Sequence, residues 1–405
     1  MNNNTKNTVS IFKVLPVIFG FFIAGFVDFT GTAINYVKLD FTLNDTMANM
    51  LSLSCFFWFL VFSIPTGLLL NRIGRKNTVL LSFIFTLTGF LLPFFIYSFS
   101  VIIIAFMLIG IGNTIIQVAL NPLLTNVVSN EKLTRTLTMG HFIKALASWL
   151  GPNLAAWLAA STLGWKYAFP IFAVVTILSA LWLWLTQIPE TNSRDVACNV
   201  SNNKDVARKV STFADTFALL KDRKILLFFI GILILVGVDV GLSATLPKYL
   251  KEKCPADITD IMHADQLKSY FYFIVRALGT FIGSLLLIKI SERKFYVISA
   301  LLALAGFVAI LCTSSLWGIL ASVVVIALGY SNLFAIIISL AIKHLPEKAN
   351  EVSSLLIMGI AGGVLALLLG VVSDAFGTQW AAMAIIALMW IYIVWLIKPV
   401  LIDKK

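Results

Sequence analysis

The sequence has few charged residues, since Asp, Glu, Lys and Arg make up only 12% of its 405 positions. Soluble domains carry about 25% charged residues and about 45–50% apolar ones. Here 60% of the residues are hydrophobic, and the mean hydropathy is +0.96. One globular core cannot bury so much apolar surface. The composition therefore excludes a soluble protein and predicts an integral membrane protein.

Cysteine is also scarce, and the four cysteines stand far apart without a CxxC or Cys/His pair. This spacing excludes a zinc framework and a disulfide scaffold, so no metal is expected. The sequence has no HExxH, no serine elbow and no phosphate-binding GxxxxGK[ST], so we expect no enzyme, no cofactor and no use of ATP. The polar N-terminus is followed by no small-residue cleavage site, so a removable signal peptide is not expected.

Long apolar runs recur along the chain, each about as long as the 20 residues that a helix needs to cross a bilayer. They are too long and continuous for barrel strands, so we predict an all-α protein with twelve transmembrane helices. The predicted limits are 14–36, 47–70, 78–97, 101–127, 137–159, 168–186, 225–246, 267–288, 296–315, 317–342, 352–372 and 378–397. One long polar interval divides them, which predicts an N-terminal half at 1–188, a cytoplasmic linker at 189–224 and a C-terminal half at 225–405.

The formal net charge is +11, and the positions of the cations matter more than their sum. If the central loop and both termini are cytoplasmic, twenty-two of the thirty Lys and Arg lie inside, six lie outside and two lie within spans. The positive-inside rule therefore places both termini in the cytoplasm, in a bacterial-type inner membrane. The orientation of the protein in the lipid bilayer accounts for the excess of cations, so no nucleic-acid partner is expected.

Two fragments recur at a nearly constant offset, which indicates a duplicated unit. GFVDFTGTAINYVK places Asp28 in the first span, and VGVDVGLSATLPKYLK places Asp239 in the seventh, 211 residues later. GLLLNRIGRK begins with Gly67 at the end of the second span, and GSLLLIKISERK begins with Gly283 at the end of the eighth, 216 residues later. Two pseudo-symmetric six-helix halves predict a transporter whose site lies between them near the middle of the membrane.

The segment after the second span resembles the signature of the major facilitator superfamily: Gly, three residues, Asp-Arg, one residue, Gly-Arg and a second cation. The chain has Asn71 in place of the signature's aspartate. The remaining matches, which with Asn71 form the expected gating motif, are Gly67, Arg72, Gly74, Arg75 and Lys76. The resemblance implies the major facilitator fold and a cytoplasmic position for this motif.

Within the superfamily, the chain resembles the fucose–proton symporter group in QVALNPLLT (117–125) and SSLLIMGIAGGVL (353–365). This resemblance implies import of a neutral monosaccharide, such as fucose, glucose or galactose, with a proton by alternating access. It also implies a protein that functions as a monomer. The chain departs from the group at Gln117, where the group has glutamate, and near Gly31, where the group has an aspartate one turn after the position of Asp28.

Ionisable residues inside the spans are costly, so each is a functional candidate. Asp239 and Arg276 lie at similar predicted depth on consecutive spans and are expected to pair, either as substrate ligands or merely to neutralise each other. Asp28 has no cation at its own level. We therefore expect it to carry the coupled proton, with Asp239 as the next candidate and substrate binding alone as the rival role.

Hydroxyl-rich substrates need amide donors and acceptors and aromatic faces. His141 and Lys144 share one helical face, as do Gln117 and Asn121. The candidate substrate ligands are Asn35, Gln117, Asn121, His141, Lys144, Arg276 and Asn332, with the aromatic residues Phe29, Trp58, Tyr330 and Phe334. Alternatives left open are an organic-anion or acidic-sugar carrier using Lys144, Arg276 and His141, a Lys144–Asp28 pair, and a membrane sensor without flux.

Overall fold

The computed structural model describes residues 11–43, 45–189, 213–258 and 261–401. Some side chains within these ranges, that of Asn35 among them, lie outside the described set. The described chain is helical and contains no strand. The predicted all-α fold is confirmed.

The N-terminal half contains spans 1 to 6, and span 1 is interrupted by a 3-10 turn. Span 1 consists of Ile11–Gly25, the turn Phe26–Asp28 and Phe29–Asp40. Spans 2 to 6 are Asp45–Ile73, Arg75–Phe95, Phe99–Leu124, Asn130–Ala160 and Ala168–Leu185, the last preceded by a 3-10 turn at Trp165–Tyr167.

The C-terminal half contains spans 7 to 12, preceded by a short helix Phe213–Ala218 and a 3-10 turn Leu219–Lys221. Spans 7, 9 and 12 are continuous helices, at Arg223–Lys253, Glu292–Cys312 and Gln379–Trp395, with a short helix Ile397–Leu401 after the last. Span 8 consists of Ile261–Lys268, the π-helical turn Ser269–Ile274 and Val275–Leu286. Span 10 is Leu316–Tyr330 with Leu333–His344, and span 11, after the turn Pro346–Lys348, is Ala349–Met358, the 3-10 turn Gly359–Val364 and Leu365–Phe376.

Ten of these spans are long and apolar enough to cross a membrane by length and composition alone. The other two predicted spans are the interrupted run 11–40 and the helix Asn130–Ala160. The predicted twelve-helix architecture is confirmed. Several helices continue beyond their predicted apolar limits, as span 7 does to Lys253, because a helix keeps its backbone hydrogen bonds after it has left the hydrocarbon layer.

The turn between spans 2 and 3 requires the glycine at position 74. Gly74 has a φ of +87°, a conformation that is costly for residues with a Cβ atom. We call the end of the bundle that carries residues 67–76 the motif end. Here the Lys76 ammonium donates to the carbonyls of Trp184 and Thr186 at 2.9 and 2.8 Å, which satisfies the C-terminus of span 6.

Hydrogen bonds join the two halves at the motif end. The Asn71 amide donates to the Glu351 carboxylate at 2.7 Å, and the Asn350 amide donates to the Asn71 oxygen at 2.6 Å. The Arg75 guanidinium donates to Asn350 at 2.9 Å and, within its own half, to the Pro122 carbonyl at 2.9 Å. The turn after span 2 is thus bound to the start of span 11.

A second cluster of polar contacts between the two halves also lies at the motif end. Each of its elements is the repeat equivalent of an element in the first cluster. The Thr134 hydroxyl at the start of span 5 contacts Glu292 and lies 2.5 Å from the Ser339 hydroxyl. The Lys343 ammonium donates to Glu292 at 2.6 Å and to Thr134 at 3.1 Å. Spans 5 and 11 occupy equivalent places in the two halves. The two clusters therefore follow the internal repeat.

The close approach of spans 2 and 11 depends on a glycine of the motif. A Cβ atom added to Gly67 would lie 2.5 Å from the Ser354 hydroxyl oxygen, closer than real contacts permit. Arg72, by contrast, is exposed.

At the end of the bundle opposite the motif end, polar contacts join residues of the N-terminal half only. The Asp40 carboxylate accepts hydrogen bonds from Tyr97 at 2.6 Å and from Trp165 at 3.1 Å.

Candidate functional site

A cavity of about 170 Å³ lies between the two halves. It is lined by spans 1, 2, 4 and 5 of one half and spans 7, 8, 10 and 11 of the other. All the ionisable residues that the sequence places inside the spans line this one cavity, namely Asp28, His141, Lys144, Asp239 and Arg276. The cavity lies at the place where the repeat predicts a site.

Irregular helical turns shape the cavity wall. Asp28 ends the 3-10 turn of span 1, and Arg276 follows the π-helical turn of span 8 by two residues. Such interruptions are frequent at functional sites because they redirect side chains. Gly25 lets span 1 approach span 5, since an added Cβ atom would lie 2.7 Å from that of Ala147. This contact brings Asp28 close to span 5.

Asp28 is exposed to the cavity and forms a hydrogen bond to a serine of span 5. Its Oδ2 accepts from the Ser148 hydroxyl at 2.5 Å. Among the described residues no cation lies within 4.0 Å of its carboxylate, so the alternative Lys144–Asp28 ion pair is not formed. In the described structure Asp28 therefore has no paired cation.

Lys144 instead donates to a neutral amide, at the start of a buried chain of hydrogen bonds. Its Nζ lies 3.0 Å from Oε1 of Gln117, whose Nε2 donates to Oδ1 of Asn113 at 2.5 Å. The Asn113 amide in turn donates to the Ala24 carbonyl at 2.8 Å. These bonds direct the Gln117 oxygen toward Lys144. Asn113 was not predicted, although it lies four residues before Gln117 and therefore on the same face of span 4.

Asp239 and Arg276 form the predicted ion pair. Nη1 of the guanidinium lies 2.5 and 2.7 Å from the two carboxylate oxygens, and each side chain is 21% exposed. The Tyr272 hydroxyl donates to the same carboxylate at 2.6 Å. The guanidinium carbon also lies 5.4 Å from the centre of the Tyr330 ring, within range for a cation–π interaction. Sequence reasoning missed Tyr272, whose only signal is its place four residues before Arg276.

His141 lies in an aromatic environment on the cavity wall. Its ring packs edge-on against Phe21 and Phe334, with ring centres 5.5 and 5.1 Å apart. The buried Nε2 atom has no hydrogen-bond partner among the described residues. Buried polar atoms are usually satisfied, so this nitrogen lacks a hydrogen bond that such atoms normally make.

Two predicted amide ligands do not line the cavity. The Asn121 amide donates to the Gln117 carbonyl at 3.1 Å and to the Ser353 hydroxyl of the other half at 3.4 Å. The Asn332 amide donates to the Gly279 carbonyl at 3.0 Å, which ties span 10 to span 8. Helical spacing predicts which residues share a face, but not which neighbour that face meets.

Only two of the four predicted aromatic residues line the cavity. Tyr330 and Phe334 line the cavity. Phe29 is only 1% exposed and packs against Phe172 within the N-terminal half, so it is not part of the wall. Trp58 is also absent from the lining, although two other aromatic residues of span 2 contribute to it.

No cluster of three His, Cys, Asp or Glu side chains that fits a metal ion occurs among the described residues.

The Major Facilitator Superfamily model matches residues 17–254 and 263–404. A glucose/galactose transporter of Brucella abortus is 25% identical over 380 residues, which cover 89% of this chain and 87% of that protein. The L-fucose-proton symporter of Escherichia coli is 24% identical over 374 residues, which cover 83% and 81%.

Among solved structures, a facilitator named FucP in the outward conformation has the same fold, with a TM-score of 0.82 and 20% identity. The match covers 98% of this chain and 99% of that one. The family model spans both halves and every cavity-lining residue. The chain therefore belongs to the Major Facilitator Superfamily and is a membrane transporter, not an enzyme.

Proposed function

We propose that the protein imports a neutral monosaccharide together with a proton, by alternating access of the central cavity. The observation that carries this proposal is the chemistry of the cavity, which combines hydrogen-bonding side chains and aromatic rings with ionisable groups between two repeated halves. Sugar hydroxyls require such donors and acceptors, and aromatic rings suit the C–H faces of a sugar. The names of the similar transporters point to hexoses and 6-deoxyhexoses.

The balance of charge favours a neutral substrate over an anion. The cavity contains the two carboxylates Asp28 and Asp239 and the two cations Lys144 and Arg276. Arg276 is already bound to Asp239 at 2.5 Å. An anionic substrate would have to compete with that carboxylate or rely on Lys144 alone. The proposed sugar ligands are Gln117, His141, Lys144 and Arg276. Asn121 and Asn332 do not line this cavity, and the predicted ligand Asn35 has its side chain outside the described set.

Asp28 is the proposed proton carrier. It faces the cavity without a cation within 4.0 Å in the described part of the chain, so a proton can neutralise it. Asp239 already accepts hydrogen bonds from Arg276 and Tyr272. We therefore place Asp239 second as a coupling residue and assign it chiefly to holding Arg276 in position.

The motif end is proposed to be the cytoplasmic end, with both termini in the cytoplasm of a bacterial-type cell. The excess of Lys and Arg on this side supports the assignment. The cross-half bonds of Asn71 and Thr134 close this end, so the cavity would open outward, as in the outward conformation of the similar structure. Import then requires these bonds to break as the two halves rock. We propose that the protein functions as a monomer, as the resemblance implies.

The test is transport by the purified protein in proteoliposomes with an imposed pH gradient. Neutral hexoses, 6-deoxyhexoses and acidic sugars are offered in turn. We expect accumulation of a neutral sugar, accompanied by inward positive current. Accumulation of acidic sugars alone would favour the anion carrier, and absence of any flux would favour a sensor.

A further inference from the structure

We propose that Ser148 is a positioning residue of the proton site, whose hydroxyl serves both protonation states of Asp28. The inference rests on the proposed proton-coupled function and extends it to a residue of span 5. It begins from the geometry of one hydroxyl group between two oxygen atoms. The Ser148 oxygen lies 2.5 Å from Oδ2 of Asp28 and 2.9 Å from the carbonyl oxygen of Lys144.

A serine hydroxyl has one proton to donate and two lone pairs to accept with. It cannot donate to the carboxylate and to the carbonyl at the same time. When Asp28 is charged, Ser148 donates to it, and the Lys144 carbonyl keeps its place in the helix through its second lone pair. When Asp28 binds a proton, the carboxylic acid donates to the Ser148 oxygen, and the serine proton turns to the Lys144 carbonyl.

Both protonation states are therefore hydrogen-bonded without movement of span 1 or span 5. The proton is taken from water in the cavity, and only the serine hydroxyl rotates. A charge-assisted bond to the carboxylate is roughly twice as strong as a neutral one. The bond that Ser148 donates to the charged carboxylate is therefore the stronger of the two arrangements.

Other charged or titratable groups face Asp28 without bonding to it in the described structure. His141 and Lys144 lie on span 5, Cys55 lies on span 2, and Asp239 and Arg276 lie across the cavity. Lys144 is bound to Gln117, Arg276 to Asp239, and the Cys55 sulfur accepts from the Thr30 hydroxyl at 3.8 Å. Ser148 is thus the hydrogen-bond partner that the structure gives Asp28.

The test compares Ser148→Ala, Ser148→Thr and the wild type in proteoliposomes, with initial uptake rates measured against external pH. Removal of the hydroxyl should raise the pH of half-maximal proton-driven uptake by about half a unit or more, because the charged carboxylate loses a donor. Ser148→Thr keeps a hydroxyl and should restore the wild-type profile. Ser331→Ala, which removes a hydroxyl from the other half of the cavity, should leave the midpoint unchanged.

A purely structural role would lower uptake equally at every pH and would leave the midpoint in place. An unshifted midpoint in Ser148→Ala, with coupled uptake intact in the wild type, overturns the inference while the proposed function stands. A wild type without proton-coupled sugar uptake refutes the proposed function instead. Should Ser148→Ala not fold, the profile of Ser148→Thr against Ser148→Cys decides, since a thiol is a weaker donor and should give an intermediate upward shift.

Discussion

The amide nitrogen of Asn71 lies 2.7 Å from the carboxylate of Glu351, across the boundary between the two halves. The signature that this segment resembles has its carboxylate at position 71, in the N-terminal half. Here the carboxylate stands on span 11 and the amide on span 2. The contact already contains one buried carboxylate, so it is sensitive to added charge.

Asn71→Asp should therefore weaken the closed motif end instead of reinforcing it. The new carboxylate would face Glu351, which is only 6% exposed, and like charges at such a distance repel. We expect spin-label distances across the motif end to lengthen and sugar counterflow to change several-fold. Substrate preference should stay the same, because the position lies outside the cavity.

The matched control is the double variant Asn71→Asp with Glu351→Gln. It restores one carboxylate and one amide in reversed places, so distances and counterflow should return toward wild type. Persistent opening of the motif end in the double variant would show that charge repulsion is not the cause. A changed sugar preference in Asn71→Asp would contradict the assigned topology.

The Asp239–Arg276 pair predicts a strong non-additivity. Arg276→Ala leaves a carboxylate that is 21% exposed without its cation, a change that costs about 3–5 kcal/mol when the charge is fully buried. Arg276→Ala combined with Asp239→Ala removes both charges and should lose less stability than the sum of the two single changes. Melting temperatures in detergent and uptake rates of all four proteins measure the coupling, and additive losses would show that the two do not interact.

The sequence was sufficient to predict the spans and the ionisable residues of the site, since the cost of charge in the membrane leaves few such residues. Asp239 and Arg276 could be paired because consecutive spans are neighbours and their depths agree. Asn121 and Asn332 could not be placed, because their roles depend on Ser353 and Gly279 of other spans. Helical periodicity does not indicate how a helix is rotated about its axis relative to a helix that is distant in the sequence.

The interruptions of the helices could not be predicted from the sequence either. Neither the 3-10 turn that ends at Asp28 nor the π-helical turn at Ser269–Ile274 contains a proline that would signal it. The 3-10 turn begins directly after Gly25, where span 1 approaches span 5 closely. Ser148 was missed because its partner lies 120 residues away on span 1.

Gln117→Glu tests the contact between Gln117 and Lys144. The glutamate that the fucose–proton symporter group has at this position would form an ion pair with an ammonium group that now lies 3.0 Å from a neutral oxygen. Lys144 would then be less available to a sugar, and we expect the KM for uptake to rise several-fold. Asn113→Ala, which frees the Gln117 amide to rotate without adding charge, serves as the comparison. An unchanged KM in both variants would remove the two residues from the binding site.

Asp222 at the start of span 7 makes a pH-dependent contribution to stability. Burial alone would raise the pKa of Asp222, but hydrogen bonds from the Ile225 backbone, His344 and the Lys224 backbone outweigh it and lower the pKa. The stabilisation is therefore complete above the ordinary value of 3.8 and disappears as the pH falls through the lowered value. Asp222→Ala should cost about 1 kcal/mol at pH 7.

Thermal unfolding in detergent at several pH values checks this contribution. The difference between wild type and Asp222→Ala should shrink as the pH falls below about 4. Asp222→Ser keeps a capping oxygen without a carboxylate and should show a smaller, pH-independent loss. A difference that grows below about pH 4 would contradict the sign.

Asp28→Asn should abolish proton-driven accumulation while sugar binding and counterflow exchange remain measurable. The amide keeps nearly the same shape and can still bond to the Ser148 hydroxyl, but it cannot bind and release a proton. Gln117 sharpens the test, because no carboxylate at that position of span 4 can replace Asp28. If Asp28 only binds a sugar hydroxyl, the same change would weaken affinity while sugar is still concentrated under an imposed pH gradient. Asp28→Glu, which keeps a proton-binding group one methylene farther out, should retain coupling at a reduced rate. Retained concentrative uptake in Asp28→Asn would move the coupling site to Asp239.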